Sequence, residues 1–498
     1  MTLGILDERS LSLWRILLGL YLLYDVCSRL SLGPYDLAWY TSDGFQDPED
    51  TPHKGALHRI WFYRGSETFQ IFLFSVHTIL SFCFLTGFYC TGLLKTLLWV
   101  SLVAMQSRCM QVHDGSDSFT RHLVWWSIFL PLDRYWSVAS EKDTRPPSNV
   151  ASLALQWQIV LMYWGTVARR SIDAYSWSNM DDCEWLPPKL SAVHYALSAT
   201  FATRSWWFPE MIRRSPILSQ SMTMSAMILE FGAPLGCLLS KTKHWFGMIL
   251  FSLHFGLFLS LRLPNWQFVG MLTQVLWIGP SVWNRCLQQS TATRDGIYKK
   301  TDGDSTPAQE PFKIRRNPIS IGIQLFLFGY MWIDCFANRG WIPKFDNGDI
   351  GEGLRLSQNW IMYATVTHTS YSTMISGISE DGHRVDLLHY LSTGVFRDQD
   401  PLDLVIHDMS RRYPSARWER AVDQWAPLHR ARAKRASSRL CTLINQDRAR
   451  QELYTFESIE VRWKRLQILP VGSTHRYAED EAYIQDVQSD IVVRTQCQ

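Results

Sequence analysis

No CxxC or CxxH pair occurs among the ten cysteines, which excludes short-spaced zinc sites and a thioredoxin-type redox motif. There is no Asn-x-Ser/Thr sequon, so glycosylation gives no guide to sidedness. GxGxxG, P-loop and GxSxG elements are missing, which removes the common dinucleotide, nucleotide and serine-hydrolase signatures. Charge of one sign is also scarce. Lys and Arg total 49 against 46 Asp and Glu, a net of +3, and no basic stripe interleaves with aromatics. No nucleic-acid partner is expected. The opening MTLGILDERS lacks the basic lead and small-residue cleavage site of a removable signal, so insertion is expected to begin with the first span. No internal repeat is visible.

What is present is apolar length. A mean hydropathy of −0.09 averages two unlike parts. Up to Ala337 the chain is rich in Leu, Phe, Trp, Ile and Met; beyond it comes a polar segment containing HRARAKRASSR. Trp is abundant at 23 residues, many at the ends of apolar runs, where an indole can sit at a membrane–water boundary. A helix needs about 20 residues to cross the hydrocarbon layer. On that measure spans are predicted near 11–30, 68–88, 92–112, 119–138, 151–168, 220–240, 244–262, 268–285 and 318–336. The fold expected is an α-helical polytopic membrane protein of about nine transmembrane helices over 1–337, with an α+β extramembrane domain over 338–498. Lys95, Arg108 and Arg121 lie near span ends, where long side chains can snorkel.

Short basic loops, above all 286–317 with Arg294, Lys299, Lys300, Lys313, Arg315 and Arg316, favour a cytoplasmic N-terminus. With nine spans the C-terminal domain is then lumenal or extracellular. In the 169–219 loop, LPPKLSAVHYALSATFA is expected to form one or two interfacial helices. In the C-terminal part, NWIMYATVTHTSYSTMISGI and ESIEVRWKRLQIL read as strands, EDG (380–382) as a hairpin turn, and ARWERAVDQWAPLHRARAKRASSRLCTLI as helix. Cys27, Cys83, Cys237 and Cys335 fall inside apolar runs and read as small hydrophobes. Cys109, Cys183, Cys441 and Cys497 fall outside and can pair if their side is oxidising.

Ionisable groups inside spans are costly and mark pairs or wet cavities. Asp25 and Arg29 stand four apart on one helix face, the spacing of a local ion pair. Glu230, within SAMILEFGAPLG, has no cation within a turn. It is expected either to meet a partner on another helix, His254 being one, or to sit neutral. His254 is the ionisable residue near the centre of FSLHFGLFLS. Such residues serve structural polar contacts about as often as functional cavities. His113, Asp114, Asp117, Arg121 and His122 crowd together, but their spacing matches no metal signature, and a helix N-cap is the expectation. DNGDIGEG begins like a calcium loop yet has Ser357 at its twelfth position, so no metal site is expected.

The order of several elements resembles the HTTM family, the membrane-domain family that includes the vitamin K-dependent γ-glutamyl carboxylases. RILLGLYLLYDVCSRL with WYTSDGF resembles its opening span and Asp-Gly loop. HDGSDSFTRHLVWWSIFLPLDRYWSV, QWQIVLMYWGTVARR, LEFGAPLG and FSLHFGLFLSL resemble successive membrane elements, and LSQNWIMY, EDGHRVDL and ARWER later landmarks. By resemblance, Arg170, His254 and Glu230 are candidate site residues, and a reduced quinone or vitamin K-like molecule is the implied cofactor. In the carboxylases a Lys at the place of Arg170 is the catalytic base. Arg stays protonated and cannot take a proton as neutral Lys does. Arg134 likewise stands for a His. The expectation is therefore a multi-pass HTTM-type protein that binds a lipid-like or quinone-like ligand in a polar intramembrane cavity without carboxylating. The alternative is a non-enzymatic chaperone or scaffold with a protein client on the non-cytoplasmic side.

Overall fold

The computed structural model describes residues 6–45, 65–109, 112–138, 149–171, 183–199, 207–294, 318–343, 350–358, 360, 366, 368–395, 413–423, 430–451, 453, 455–468 and 484–497. The chain is mostly helical. Its first part holds α1 (Glu8–Arg29), α2 (Pro34–Leu37), α3 (Glu67–Thr86), α4 (Gly92–Arg108), α5 (Gly115–Ser127) and α6 (Asn149–Arg170). Then come α7 (Ala192–Ser198), α8 (Trp207–Arg214), α9 (Pro216–Leu238), α10 (Lys243–Ser260), α11 (Pro264–Thr273), α12 (Pro280–Arg294) and α13 (Pro318–Asn338). Side chains fix many of the starts: Asp7, Ser66, Thr91, Asp114 and Ser215 each accept a hydrogen bond from a first-turn N–H.

Among the described residues, α1, α3, α6, α9 and α13 are long and apolar enough to cross a membrane. On α3 the buried positions Gln70, Phe74, His77, Ser81 and Phe84 share one face, while Phe69, Phe72, Ile79 and Phe82 are exposed. Polar groups turned inward and apolar rings outward are what a hydrocarbon solvent demands.

The shorter stretches depart from the pattern of uninterrupted spans. The stretch 268–285, expected as one helix, is α11, a 3-10 turn at Gln274–Trp277, and then α12. Pro280 lacks an N–H and disfavours helical backbone at Gly279, so the helix stops before it. Pro131 lies just beyond the end of α5 at Ser127, inside the expected 119–138 span. The expected snorkelling fails as well. Lys95 is buried and donates to the Leu130 carbonyl at 2.6 Å; Arg108 donates to the Tyr40 carbonyl at 2.8 Å; Arg121 donates to Gln106 Oε1 at 2.6 Å. Carbonyls freed at helix ends and loops satisfy these cations inside the protein.

After α14 (Ile350–Gly353), the C-terminal part contains β1 (Thr369–Ile378), β2 (Arg384–Asp386), α15 (Leu387–Thr393), α16 (Ala416–Asp423), α17 (Arg430–Arg450), β3 (Ser458–Ile468) and β4 (Ile484–Gln496). The strands form one antiparallel sheet in the order β2-β1-β3-β4. The expected EDG turn joins β1 to β2, with Gly382 at φ +83°. Strand β4, IQDVQSDIVVRTQ, was not expected; its largely polar sequence conceals it. Of the four candidate cysteines, Cys441 and Cys497 are disulfide-bonded, joining α17 to the residue just after β4, while Cys109 and Cys183 are free and buried.

Two motifs plug this part into the helices. Gln358 and Gln158 exchange amide hydrogen bonds at 2.7 and 3.2 Å, and Trp360 Nε1 donates to Gln358 Oε1 at 3.0 Å. Arg417 of α16 reaches Asp25, Asp117 (3.0 Å) and the Val112 carbonyl (2.7 Å). Arg29 closes the set on the same carboxylates, 2.8 Å from Asp25 and in contact with Asp117. The local Asp25–Arg29 pair is thus half of a buried two-carboxylate, two-guanidinium cluster. Burial opposes the charge on Arg417, but Asp117 and Asp25 outweigh it and raise its pKa. Next to it, Trp418 Nε1 donates to Asp36 at 2.6 Å.

Replacing Arg417 by Met leaves two buried carboxylates facing one cation. A loss of about 3–5 kcal/mol is expected in thermal unfolding of the detergent-solubilised protein. Adding Asp25→Asn should restore part of it; a single substitution without effect would show that the cluster does not hold α16.

Candidate functional site

Helix α6 ends in Arg169 and Arg170, cations in a last turn whose carbonyls favour them. Arg169 donates to the Asn338 carbonyl. Arg170 is buried, and its Nη1 donates to Glu230 Oε2 of α9 at 2.6 Å. Its guanidinium also lies 4.1 Å from the centre of the Trp185 ring, a cation–π contact. The Cys183 thiol donates to the Arg170 carbonyl at 3.3 Å. Helix α9 is locally irregular where it bears the acid. Pro234 has no N–H for the carbonyl of Glu230, four residues earlier, and the Phe231 carbonyl takes the Trp164 indole N–H at 2.9 Å.

On the other side stands His254 of α10, 2% exposed. Its Nδ1 is 2.9 Å from Gln267 Oε1, and its Nε2 is 2.6 Å from the Tyr163 hydroxyl. An amide oxygen only accepts, so Nδ1 carries the proton and Nε2 accepts from Tyr163. Gln274 donates to the Tyr163 oxygen at 3.2 Å and is itself held by Trp277 Nε1 at 3.1 Å. The break after α11 is what turns Gln274 inward. Gly270 permits the packing: a Cβ there would lie 2.3 Å from the His254 ring.

These two polar groups face one cavity of about 70 Å³, lined by Tyr163, Arg170, Trp185, Glu230, His254 and Gln267 with apolar neighbours. Arg170, Glu230 and His254 therefore share a chamber. The expected Glu230–His254 pairing is replaced by two others. A permanent cation occupies the carboxylate, and Tyr163 with Gln267 occupies both ring nitrogens. Arg134 pairs with Glu8 and is not among the residues lining the cavity. Asp114 caps α5 in a reciprocal box with Asp117, as expected, and no group of His, Cys, Asp or Glu among the described residues is arranged to hold a metal.

Tyr163, Trp185, Gln267 and Gln274 were missed by sequence reasoning. A signal existed for three of them. Tyr163 precedes Arg170 by two helical turns, and Gln267 and Gln274 are polar residues seven apart within an apolar stretch. No family model, curated protein or solved structure matches the chain.

Glu230→Gln should strand Arg170 in the interior and cost about 3–5 kcal/mol. The double variant with Arg170→Gln should lose less than the sum of the single changes in a thermal double-mutant cycle. Strict additivity would mean that the pair contributes nothing beyond its parts. Tyr163→Phe leaves His254 Nε2 without its donor, and a loss of about 1–3 kcal/mol is expected by the same measurement.

Proposed function

We propose that this chain is a multi-pass HTTM-type membrane protein that takes the polar head of a lipid-like or quinone-like molecule between Arg170–Glu230 and Tyr163–His254. The observation that carries the reading is a largely apolar cavity among the helices into which Tyr163, Arg170, Glu230, His254 and Gln267 converge. A buried, paired polar lining is costly to build and is a poor choice for mere packing. At about 70 Å³ the chamber accepts water or a head-sized group, whereas pockets that enclose whole ligands run to about 300–1,000 Å³. The residue types fit a carbonyl or hydroxyl: a guanidinium can donate, and carboxylate and amide oxygens can accept.

The reading excludes carboxylase chemistry. Arg170 is paired with Glu230 and stacked on Trp185, and a guanidinium cannot act as a base at ordinary pH. Purified protein given reduced vitamin K, bicarbonate and a glutamate peptide is expected to fix no carbon dioxide. Mass spectrometry of protein purified in mild detergent is expected to find a stoichiometric lipid or quinone that is lost in Glu230→Gln. Recovery of bulk lipid alone, unchanged by that substitution, would favour the scaffold reading.

The proposed arrangement keeps nine crossings, with the N-terminus cytoplasmic and the C-terminal part lumenal or extracellular. Two things support it: the basic 286–317 loop, and the Cys441–Cys497 disulfide, a bond that persists in oxidising compartments. A tag after Gln498 should be protected in sealed vesicles whose cytoplasmic face is outward. Access from the cytoplasmic side would reverse the orientation or change the number of crossings.

A further inference from the structure

The cavity is partly open but narrow, about 70 Å³, so a ring-bearing molecule can enter it whole only if a wall moves. Four lining residues, Trp185, Val193, Ala196 and Leu197, come from the single segment 183–199 rather than from a long helix. The segment is folded on itself: the Ala192 N–H donates to the Glu184 carbonyl at 3.0 Å, and α7 is only seven residues long. It touches the fixed part of the site through the Trp185 ring on Arg170 and the Cys183 thiol on the Arg170 carbonyl.

Its outer face is fastened to the C-terminal sheet. His368, the residue before β1, places Nε2 2.9 Å from Glu184 Oε1. The same imidazole stacks on Tyr195, with centroids 4.4 Å apart and planes at 16°. Ile468, at the end of β3, packs with Tyr195 and Ala199, and its N–H donates to the His368 carbonyl at 2.8 Å. Glu184 is buried, and His368 and Lys189 Nζ (4.0 Å) are among the groups that reach its carboxylate. His368, by contrast, is exposed at the junction.

We propose that segment 183–199 is the movable wall of the cavity and that His368, carried by the C-terminal sheet, is the latch that holds this wall in place. This rests on the reading of the chamber as a ligand site. One imidazole grips the segment twice, at Glu184 beside Trp185 and at Tyr195 beside Val193 and Ala196. Displacing it removes both of these contacts together, and leaves the wall held to α9 by the Val193 N–H on Thr223 Oγ1 at 3.1 Å and to α8 by Arg213 on the Leu197 carbonyl at 3.3 Å. The C-terminal sheet thereby governs access to a chamber that none of its own residues lines, and a movement at the ends of β1 and β3 is transmitted to Trp185 over Arg170.

The test reads opening without any ligand. Cys183 is buried in the wall and free, so its alkylation by N-ethylmaleimide, followed residue by residue by mass spectrometry in the full-length protein, reports local opening. Cys335, buried on α13, is the internal reference. His368→Phe keeps a ring against Tyr195 but loses the nitrogen; Glu184→Gln removes the charge. Each is expected to speed Cys183 alkylation about tenfold with the Cys335 rate unchanged. His368→Gln, which keeps an N–H for Glu184, should stay within about twofold of the parent. An unchanged Cys183 rate in both variants overturns the latch, and so does an equal rise at Cys335, which means general loosening. Absence of a co-purifying lipid or quinone would count against the ligand reading while leaving the response of Cys183 intact, so the two failures are separable.

Discussion

Everything else in the molecule is arranged around the meeting of Asp25 and Asp117 with Arg29 and Arg417. Two carboxylates and two guanidinium groups balance, which is the condition under which charges can be kept so far from water. The four residues come from three places: α1, the first turn of α5, and α16, some 300 residues later in the chain. No three of them would be neutral. The cluster therefore forms only when α16 is seated on the helices, and this makes docking of the C-terminal part a requirement of the membrane part. Trp418 beside Asp36 and Trp39, and Trp360 beside Gln358, supply the apolar area around these polar anchors.

The polar chamber follows a different rule. It lies where helical regularity fails: at the C-terminal turn of α6, at Pro234 of α9, and at the break between α11 and α12. Each irregularity frees backbone carbonyls or redirects a side chain that a continuous helix would have aimed elsewhere. In hydrocarbon such irregularity is tolerated only where protein or a wet cavity meets it. Of the long apolar helices, α1 and α6 lie mostly inside, while α3, α9 and α13 face outward over most of their surface.

Much of this was legible in the sequence, and what was not has identifiable causes. The i, i+4 spacing of Asp25 and Arg29 gave their pairing, and the capping pattern at Asp114 gave the start of α5. The isolation of Glu230 in an apolar run gave a buried polar interior. Its partner was harder, because a residue 60 positions away at a helix end competes with water and with carbonyls, and sequence carries no depth. The proximity of the His254 span suggested a pairing that the chemistry of both ring nitrogens forecloses. Pro131 and Pro280 were visible, yet apolar length overrode them in the prediction of uninterrupted spans. Strand β4 was hidden because its sequence is largely polar, and only its pairing with β3 makes it a strand. Four candidate cysteines admit several pairings, and contact between α17 and β4 selects Cys441 with Cys497.

The chamber also divides its labour in a way that bears on what it can do. Arg170 and Glu230 form a fixed ion pair, Nη1 to Oε2 at 2.6 Å, whose guanidinium keeps its proton at ordinary pH. Tyr163 and His254 are the opposite. The imidazole accepts through Nε2 from a hydroxyl that Gln274 also contacts, and Gln267 fixes the ring's orientation. Any proton exchanged with a bound molecule would have to pass through that second pair. A Lys at the position of Arg170 would merge the two roles in one residue. With Arg there, the permanent cation and the Tyr163–His254 hydrogen bond belong to separate sets of side chains around one cavity.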